Sequence, residues 1–505
     1  MASEIIALSD AFSNVDCVLA YGHFSSIHPG HIRYLKHAAE QGLPLMVALI
    51  GDSTDGERLS GNGFPFRFSQ IDRAEGLKLL NLASGIVMLN GNELSEAIQR
   101  LQPAVLVLGT EHQRSRDPAI LRAKELMRQL GRDVMFHGGD THYASADLLR
   151  DSESSLARGR HDQFRRACER HGLKLGELQK QLNQWSETRL AVVGDTIVDQ
   201  YTACEAVGMS AEAPVVVVRE LEDRVFMGGA GVVASHIRAL GAQCELVSVV
   251  GMDGSAELVV QQLDEQGIGN SLIKDASRPT TFKKRYLVEN QKLFRVSRME
   301  EHMIFPEVED QLIARLEDVA GRVDGLVVSD FVYGVITDRV LEVIQELARR
   351  HDLRLYGDLQ CSSQVGDITR FKNFALLCPN EREARMALQD KDAGLERLAN
   401  QLIDSTGCQK LVMKLGSEGF IAYDRDRKGQ LFNQHFPALS VNPLDVTGAG
   451  DSLLAVMAVG LSAGHSMMAT AALGCCMAAL AVETLGNIPI GAERLQQQVK
   501  SLLDP

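Results

Sequence analysis

The sequence lacks the cysteine patterns of disulfide-stapled and zinc-binding proteins. Its nine cysteines are scattered along 505 residues, and no two of them form a Cys-x-x-Cys motif. Cys475 and Cys476 are adjacent in a stretch that we predict to be helical, so they indicate neither a disulfide framework nor a zinc site. We therefore expect a reducing compartment, predict a cytoplasmic protein, and predict no protein-bound metal site.

An excess of positive charge and a long apolar run are also missing. The formal net charge is −14, which does not favour the clustered cations of a nucleic-acid surface. The apolar region 452–482 is interrupted near Gly460 and Gly464, which leaves two pieces shorter than the roughly 20 residues of a membrane span. The first residues lack the basic start and apolar stretch of a signal peptide. We therefore expect no nucleic-acid partner and no membrane partner, and two buried helices in 452–482.

Short apolar runs alternate with helical patterns, which predicts an α/β protein. A chain of this length exceeds the roughly 250–300 residues at which a single core stops growing, so we expect at least two domains. Residues 1–150 form the first, with strand-like runs near 17–20, 45–50 and 104–108. Residues 151–187 are rich in charge and carry no strand signal, and we predict a partly helical linker there.

Residues 188–505 form the second predicted domain. Its strand-like runs, such as LAVVGD, GLVVSD and LRLYGD, mostly end in Gly, Asp or Asn, as parallel strands do where their carboxyl ends border a binding crevice. The stretches 202–226 and 280–299 differ, because charges are interleaved with their apolar residues. We predict that these stretches form a small sheet laid over the main one.

The most informative motif is DVTGAGDS at 445–452, directly before an apolar helix. Gly448 and Gly450 allow a tight turn, and the N–H groups of Gly448, Ala449 and Gly450 are candidates for an anion hole at the helix start. Asp451 at that point can accept the proton of a sugar hydroxyl that attacks the γ-phosphate of ATP. The alternative is an ordinary glycine turn in which Asp451 caps the helix.

Two motifs upstream are suited to a sugar. The sequence GDTIVDQY places Asp195 and Asp199 after a strand, and MGGAG places Gly228 and Gly229 before a helix. Carboxylates at strand ends can bind sugar hydroxyls, and glycines let a ligand approach the backbone. We predict a sugar site from these four residues.

Two further motifs are suited to a nucleotide. In CPNEREA, Asn380 and Glu383 can both reach the region of a metal-bound phosphate at a helix start, and MKLGSEGF adds Lys414 and Gly416 in a strand and glycine turn. We predict that these four residues bind ATP.

Near the N-terminus, YGHFSSIHPGHIRYL places His28 and His31 between a strand and a helix. Imidazoles at a helix start can donate hydrogen bonds to phosphates and stabilise the pentacoordinate phosphorus of nucleotidyl transfer. We assign Gly22 and Phe24, in the same turn, to nucleotide binding. A metal pair and two purely structural histidines are the alternatives.

With these motifs, residues from about 190 to 500 resemble the ribokinase (PfkB) family of carbohydrate kinases. The order of GDTIVDQY, SAEAPVVVV, VSDFVYG and DVTGAGD is most similar to the heptose kinase domains of bifunctional ADP-heptose synthases. The resemblance implies a ribokinase-like fold with a small β lid, which often forms a dimer contact, and we expect a homodimer. It also implies Asp451 as the base, with Mg²⁺ and ATP near Asn380 and Glu383.

Two positions depart from that family. Val232 stands where the family commonly has an asparagine after the glycine pair. Asp358, Leu359 and Gln360 stand where heptose kinases have Asp-Pro-Lys, so Gln360 occupies the position of the lysine. A hydrogen bond to the sugar and a positive charge are therefore missing. We expect phosphoryl transfer to survive both changes, which bear on the identity of the sugar.

Residues 15–150 resemble the cytidylyltransferase-like nucleotidyltransferases, which implies a Rossmann-like fold. The resemblance also implies nucleotide contacts from Arg73, in a predicted helix that begins near Ser69, and from Ser145 in ASADLL. Ser25 stands where the family has an aspartate, and Leu108 stands where its heptose branch has a lysine. Weakened activity, or activity on another substrate, is therefore an alternative.

The combined prediction is a bifunctional transferase that phosphorylates a sugar, with a heptose phosphate as the leading candidate, and then couples a sugar 1-phosphate to ATP or CTP. Its partners are a sugar phosphate and a nucleoside triphosphate, with Mg²⁺ as cofactor. The family usually has its kinase domain first, and this chain reverses that order. Two alternatives stay open: a monofunctional sugar kinase whose N-terminal domain has decayed into a nucleotide-binding or dimerising module, and a non-enzymatic ligand sensor.

Overall fold

The structure, a computed structural model, describes residues 4–504 apart from 12–15, 25–26, 53–67, 92, 114, 138–152, 290, 362–365 and 427–428. Two compact units are present. Unit 1 comprises Met1–Leu149, Leu388–Leu402 and Tyr423–His435, and unit 2 comprises Arg150–Ala387, Ile403–Ala422 and Phe436–Pro505.

The first part of unit 1 is a parallel sheet, as the alternating pattern predicts. Its strands are β1 (Glu4–Ala7), β2 (Val18–Gly22), β3 (Leu45–Leu49), β4 (Gly85–Met88), β5 (Val105–Leu108) and β6 (Asp133–Phe136). They lie in the order β1-β4-β3-β2-β5-β6, and each neighbouring pair is parallel. The Rossmann-like α/β prediction for this region is confirmed.

In the described part of this region, four helices connect these strands, and apolar clusters fill both faces of the sheet. They are α1 (Pro29–Ala39), α2 (Gln70–Leu79), α3 (Leu94–Leu101) and α4 (Pro118–Gln129). Side chains cap two of them, because Ser69 accepts from Asp72 N and Asp117 accepts from Ala119 N. The Tyr34 hydroxyl donates to Val107 O over 2.7 Å, which fixes α1 against the sheet.

A second parallel sheet forms the centre of unit 2, with the order β10-β9-β7-β13-β14-β15-β16. The strands from residue 189 onward are β7 (Arg189–Met209), β8 (Val216–Gly229), β9 (Gln243–Val250), β10 (Gly269–Lys274), β11 (Thr281–Val288), β12 (Gln291–Arg298), β13 (Gly325–Asp330), β14 (Arg354–Leu359), β15 (Leu376–Leu377), β16 (Lys410–Lys414), β17 (Phe420–Arg425) and β18 (Leu431–Phe436).

The predicted small sheet is present, and β7 builds it by continuing beyond the main sheet. Over its second half β7 pairs antiparallel with β8 and parallel with β11, and β11 pairs antiparallel with β12. One long strand therefore belongs to both sheets. We call the outer one, formed by the second half of β7 with β8, β11 and β12, the lid.

The remaining helices of the described residues follow residue 152. They are α5 (Glu153–Arg170), α6 (Leu175–Gln184), α7 (Ala230–Ala239), α8 (Gly254–Gln266), α9 (Pro306–Ala320), α10 (Asp338–His351), α11 (Glu381–Leu388), α12 (Leu395–Thr406), α13 (Ala449–Ser462), α14 (Met467–Val482) and α15 (Ala492–Leu503). The two predicted buried helices are α13 and α14. Among the described residues, no helix has both the length and the apolar character that a membrane crossing requires.

The charged segment 151–187 is helical over most of its length, and it packs rather than projecting into solvent. Phe164, Leu182 and Trp185 are buried in the same apolar cluster as α7, α13 and α14. Helices α5 and α6 of this segment are therefore part of the core of unit 2. The domain limits expected from the sequence stay a prediction.

Candidate active sites

The glycine motif turns the chain into α13. Gly448 is the residue that caps this helix, and its φ of +78° is in the left-handed region that favours glycine. A Cβ at this position would lie 2.4 Å from Asn487 Oδ1. Asp451 lies inside the first turn of α13, so the interpretation of Asp451 as the helix cap is wrong. The first N–H groups of a helix lack partners within it, and they suit an anion at this point.

Asp451 is buried, and its ionisation is shifted. Burial, together with the charge of Asp358, raises the pKa of Asp451 to about 7, although Lys414 opposes the shift. Gln360 Nε2 donates to Asp451 Oδ1 over 2.9 Å. A carboxylate whose pKa is close to neutral is well suited to accept a proton from an attacking hydroxyl.

A buried ion pair lies beside this helix start. Lys414 Nζ contacts both carboxylate oxygens of Asp358, at 2.8 and 2.7 Å. A Cβ on Gly450 would lie 3.3 Å from Lys414 Nζ and 3.9 Å from Asp358 Oδ2. The structure thus brings Lys414, predicted to bind nucleotide, next to the predicted anion hole.

Asn380 and Glu383 form a reciprocal capping box at the start of α11. Asn380 N donates to Glu383 Oε2 over 2.7 Å, and Glu383 N donates to Asn380 Oδ1 over 2.8 Å. Burial raises the pKa of the Glu383 carboxyl, while the charge of Lys414 opposes that shift. Asn380 also forms a backbone bridge with Lys414, so both nucleotide motifs meet at the carboxyl ends of β15 and β16.

The turn after β16 is open. Gly416 has a φ of +61°, and a Cβ there would meet nothing within 4 Å. Leu415 N donates to Gly419 O over 2.8 Å and closes the turn. The glycine is needed for backbone conformation, and the space above it is compatible with a nucleotide.

On the sugar side, Gly228 allows a close approach of β8 to the carboxylate of Asp199, and Gly229 allows one to the backbone oxygen of Asp195. A Cβ on Gly228 would lie 2.5 Å from Asp199 Oδ2, and Gly229 has a φ of +59°. Asp199 is buried, and it accepts hydrogen bonds from Arg285 and from Asn487 Nδ2. Arg285 and Asn487 were not predicted from the sequence.

Asp195 is held by the backbone of a neighbouring loop. It accepts N–H hydrogen bonds from Phe331 at 2.8 Å, Tyr333 at 3.3 Å and Val335 at 3.3 Å. These bonds support a role in fixing the loop after β13. Direct contact of Asp195 with a sugar stays a prediction.

A buried cation that the sequence reasoning missed completes this region. Lys283 Nζ lies over the rings of Phe331 and Tyr333, 5.5 and 5.0 Å from their centroids. Its charge also lowers the pKa of Asp451 against the larger effect of burial. The signal that could have found it is the KKR run in the predicted lid strand.

In unit 1, the two predicted histidines meet at the start of α1. His28 is the residue that caps the helix, Pro29 follows it, and the rings of His28 and His31 stack with centroids 3.9 Å apart. Phe24 has a φ of +44°, and its ring centroid lies 5.0 Å from that of His31. A Cβ on Gly22 would lie 3.0 Å from the Phe24 ring, so these residues form one compact turn.

A carboxylate lies among the imidazoles of this turn. Glu396 oxygens lie 3.2 Å from His23 Nε2, 3.3 Å from His28 Nε2 and 3.9 Å from His31 Nε2. Although burial opposes it, the neighbouring His23, His28 and His31 lower the pKa of Glu396. The cluster accommodates an anion, and the donor atoms of His28, His31 and Glu396 are close enough for a shared cation, so the metal alternative stays open.

The other predicted nucleotide contacts of unit 1 have different outcomes. The buried guanidinium of Arg73 donates to Ile50 O over 2.9 Å and to Asp52 Oδ1 over 2.8 Å, which braces the end of β3, and its nucleotide contact stays a prediction. Leu108 is buried in β5. Ser145 and Ser25 lie outside the described residues.

Comparison with known proteins agrees with both sets of motifs. The family model described as pfkB family carbohydrate kinase matches residues 187–492, and the model described as cytidylyltransferase-like matches residues 19–151. Bifunctional protein HldE of Trichlorobacter lovleyi is 32% identical over 307 residues, which cover 60% of this chain and 61% of that protein. Its counterpart in Geobacter sulfurreducens is 32% identical over 301 residues, covering 59% of this chain and 60% of that protein.

Solved structures agree in fold. Phosphofructokinase-2 from Escherichia coli, in complex with substrates and products, is similar with a TM-score of 0.52 at 16% identity, over 62% of this chain and 99% of that chain. This likeness supports the ribokinase-like fold predicted for residues 188–505. The chain spans about 60% of the length of the curated relatives it matches.

Proposed function

Because the chain belongs to the pfkB family of carbohydrate kinases, we propose that unit 2 transfers the γ-phosphoryl group of ATP to a hydroxyl of a sugar phosphate. The observation that carries this proposal is the buried Asp451, whose pKa is raised by burial to about 7 in the first turn of α13. Asp451 accepts the proton of the attacking hydroxyl, and the N–H groups of the preceding glycine turn stabilise the transferred group.

Mg²⁺ fits the nucleotide side of this site. Asn380 and Glu383 supply oxygen atoms of the kind that Mg²⁺ and its bound waters use, and the capping box holds both residues at the helix start. Bound Mg²⁺ would neutralise charge on the β- and γ-phosphates. Gly416 leaves room for the nucleotide beside them.

The cations of the lid support a phosphorylated sugar. Lys283 and Arg285 lie on β11, which pairs with the part of β7 that carries Asp199. Both are largely buried, and Arg285 pairs with Asp199. Buried cations beside a carboxylate can bind the phosphate and hydroxyls of one ligand. A heptose phosphate, implied by the resemblance of the motifs, is the leading candidate.

Unit 1 is proposed to couple a sugar 1-phosphate to a nucleoside triphosphate with release of pyrophosphate. The supporting observation is the set of imidazoles of His23, His28 and His31 around the Glu396 carboxylate. A turn that accommodates a carboxylate can also accommodate phosphate oxygens. With the kinase activity proposed for unit 2, the protein would then be bifunctional.

A homodimer through the lid is also proposed. The lid leaves apolar side chains exposed, including Val207, Val216, Leu221, Phe294 and Val296. Exposed apolar side chains on a sheet edge or face are typical of a protein interface.

The proposed functions are tested with the purified full chain. It is incubated with ATP, Mg²⁺ and a panel of sugar phosphates, and ADP release is measured together with the mass of the product. A second assay supplies sugar 1-phosphates with ATP or CTP and measures pyrophosphate. ADP without pyrophosphate would identify a monofunctional kinase, and the absence of both would support a ligand sensor.

A further inference from the structure

We propose that Lys414 supplies the positive charge for the transferred phosphoryl group, which the uncharged Gln360 beside Asp451 cannot supply. This inference rests on the proposed kinase function of unit 2. It assigns to Lys414 a direct contact with the reacting phosphate, beyond general nucleotide binding.

The position of Lys414 is the first step. It is the last residue of β16, and its N donates to Pro379 O over 2.9 Å, which holds it beside the start of α11. Its Nζ would lie 3.3 Å from a Cβ on Gly450. The ammonium therefore borders the glycine turn at which the γ-phosphate is proposed to react.

The second step is the availability of a donor. The Lys414 ammonium has three N–H groups, and Asp358 binds it through its two carboxylate oxygens at 2.8 and 2.7 Å. The side chain of Lys414 is 15% exposed, against 1% for Asp358. One N–H group can therefore donate to an oxygen that arrives beside Gly450, while Asp358 keeps the ammonium in place.

The third step is the charge balance. Lys414 interacts electrostatically with the carboxyl groups of Asp358, Glu383 and Asp451. Three carboxyl groups in one buried region repel the phosphates of ATP. Burial opposes ionisation of Lys414, but Asp358 and Glu383 together raise its pKa above the ordinary value. Lys414 therefore stays positive over the pH range in which Asp451 titrates.

The fourth step is the uncharged side chain of Gln360. The Gln360 carboxamide donates to Asp451, so the side chain at this position reaches the base but carries no charge. Lys414 on β16 reaches the same region from two strands away in the order β14-β15-β16. The positive charge at this site is therefore supplied from β16 and not from the position that follows β14.

The test compares kcat for ADP release in matched variants. Lys414→Met is expected to lower kcat by about 10²–10³, as for loss of a group that stabilises transition-state charge. Lys414→Met combined with Gln360→Lys is expected to regain at least about tenfold, because the second lysine restores the charge. Lys372→Met is the control, since Lys372 is exposed and donates to Ser405 O, and its kcat should stay at the wild-type value.

A purely structural role predicts other results. If Lys414 only neutralises Asp358, the double variant Asp358→Asn with Lys414→Met, which leaves no unpaired buried charge, would recover wild-type kcat and overturn the proposal. Retention of more than half of kcat in Lys414→Met would do the same. If Lys414→Met alone fails to fold, the variant Asp358→Asn with Lys414→Met provides the test instead. A low kcat in that variant supports the proposal. A wild-type chain without kinase activity on any sugar phosphate would instead remove the proposed function itself.

Discussion

Gln360 Nε2 donates a hydrogen bond to Oδ1 of Asp451 over 2.9 Å. A neutral carboxamide can orient this carboxylate, but it lowers the cost of ionisation less than a cation would. Burial and the charge of Asp358 therefore prevail over the opposing charge of Lys414, and the pKa of Asp451 is raised to about 7. The uncharged side chain of Gln360 thus leaves the pKa of the base high.

The first prediction is that sugar phosphorylation rises with pH around 7. Asp451 accepts a proton only when it is ionised, so kcat/KM should fall about tenfold per pH unit below about 7 and level off above it. A steady-state pH profile from pH 5 to 9 measures this. Asp451→Asn should lose about 10²–10⁴ of kcat and keep ATP affinity. A wild-type rate that is flat between pH 5 and 7 would contradict Asp451 as the base.

The same shift sets the sign of a stability effect. The pKa of Asp451 is raised in the folded state, so the folded chain holds its proton more tightly than the unfolded chain. Stability is then lost as pH rises from the ordinary pKa of an aspartate through about 7. Asp451→Asn should consequently melt no lower than wild type at pH 8, which makes it a folded control for the kinetic loss.

The second prediction concerns the glycine that caps α13. Gly448→Ala places a Cβ 2.4 Å from Asn487 Oδ1 at a φ of +78°, and it should lower kinase kcat at least about tenfold by distorting the anion hole. Gly464→Ala is the control, because its φ is +84° and a Cβ there meets nothing within 4 Å. Both variants pay a left-handed backbone cost of roughly 1–2 kcal/mol, measurable by denaturant unfolding. Equal kinase activity in the two would show that the clash with Asn487 is irrelevant.

Local patterns explain why much of the fold and part of the site could be predicted. A strand that ends in Gly or Asp and a glycine turn before an apolar helix are encoded within a few residues, and they predict β7, β13 and α13. The charge-rich segment 151–187 is predicted to be a partly helical linker, because it carries many charges and no strand signal. Apolar residues nevertheless recur at helical spacing, Phe164 and Cys168 on α5 and Leu178 and Leu182 on α6, and they lie in the core cluster of unit 2.

Contacts between positions far apart in the sequence explain why the rest of the site could not be predicted. Asp358 and Lys414 are 56 positions apart, so their pairing follows only from the order of β14, β15 and β16. Asp195 has the right residue type for a sugar ligand, but its hydrogen bonds come from a loop more than 130 positions away. Arg73 likewise has the residue type of a phosphate ligand, but its guanidinium donates to Ile50 O and Asp52 Oδ1, contacts that the sequence pattern does not predict.

The third prediction is that the lid mediates dimerisation. Phe294 and Val296 on β12 are 51% and 52% exposed, and Phe294→Asp with Val296→Asp places charges on this apolar face. Sedimentation velocity should show a dimer for wild type and a monomer for the double variant. Leu79→Asp is the control, because Leu79 is 66% exposed on α2. A monomeric wild-type chain at micromolar concentration would refute the dimer.

The last prediction is that the two activities separate by mutation, because they use different groups at different phosphorus atoms. His28→Ala with His31→Ala should abolish pyrophosphate release from a sugar 1-phosphate and a nucleoside triphosphate, since the imidazoles stabilise charge at the α-phosphate. The same variant should phosphorylate the sugar at the wild-type rate. Asp451→Asn should show the reverse, because its carboxylate acts only on the hydroxyl that attacks the γ-phosphate. Both assays are run on each variant under one set of conditions. If either variant loses both activities while its melting temperature is unchanged, the two reactions depend on each other. If the wild-type chain releases no pyrophosphate with ATP or CTP, only the sugar kinase activity stands.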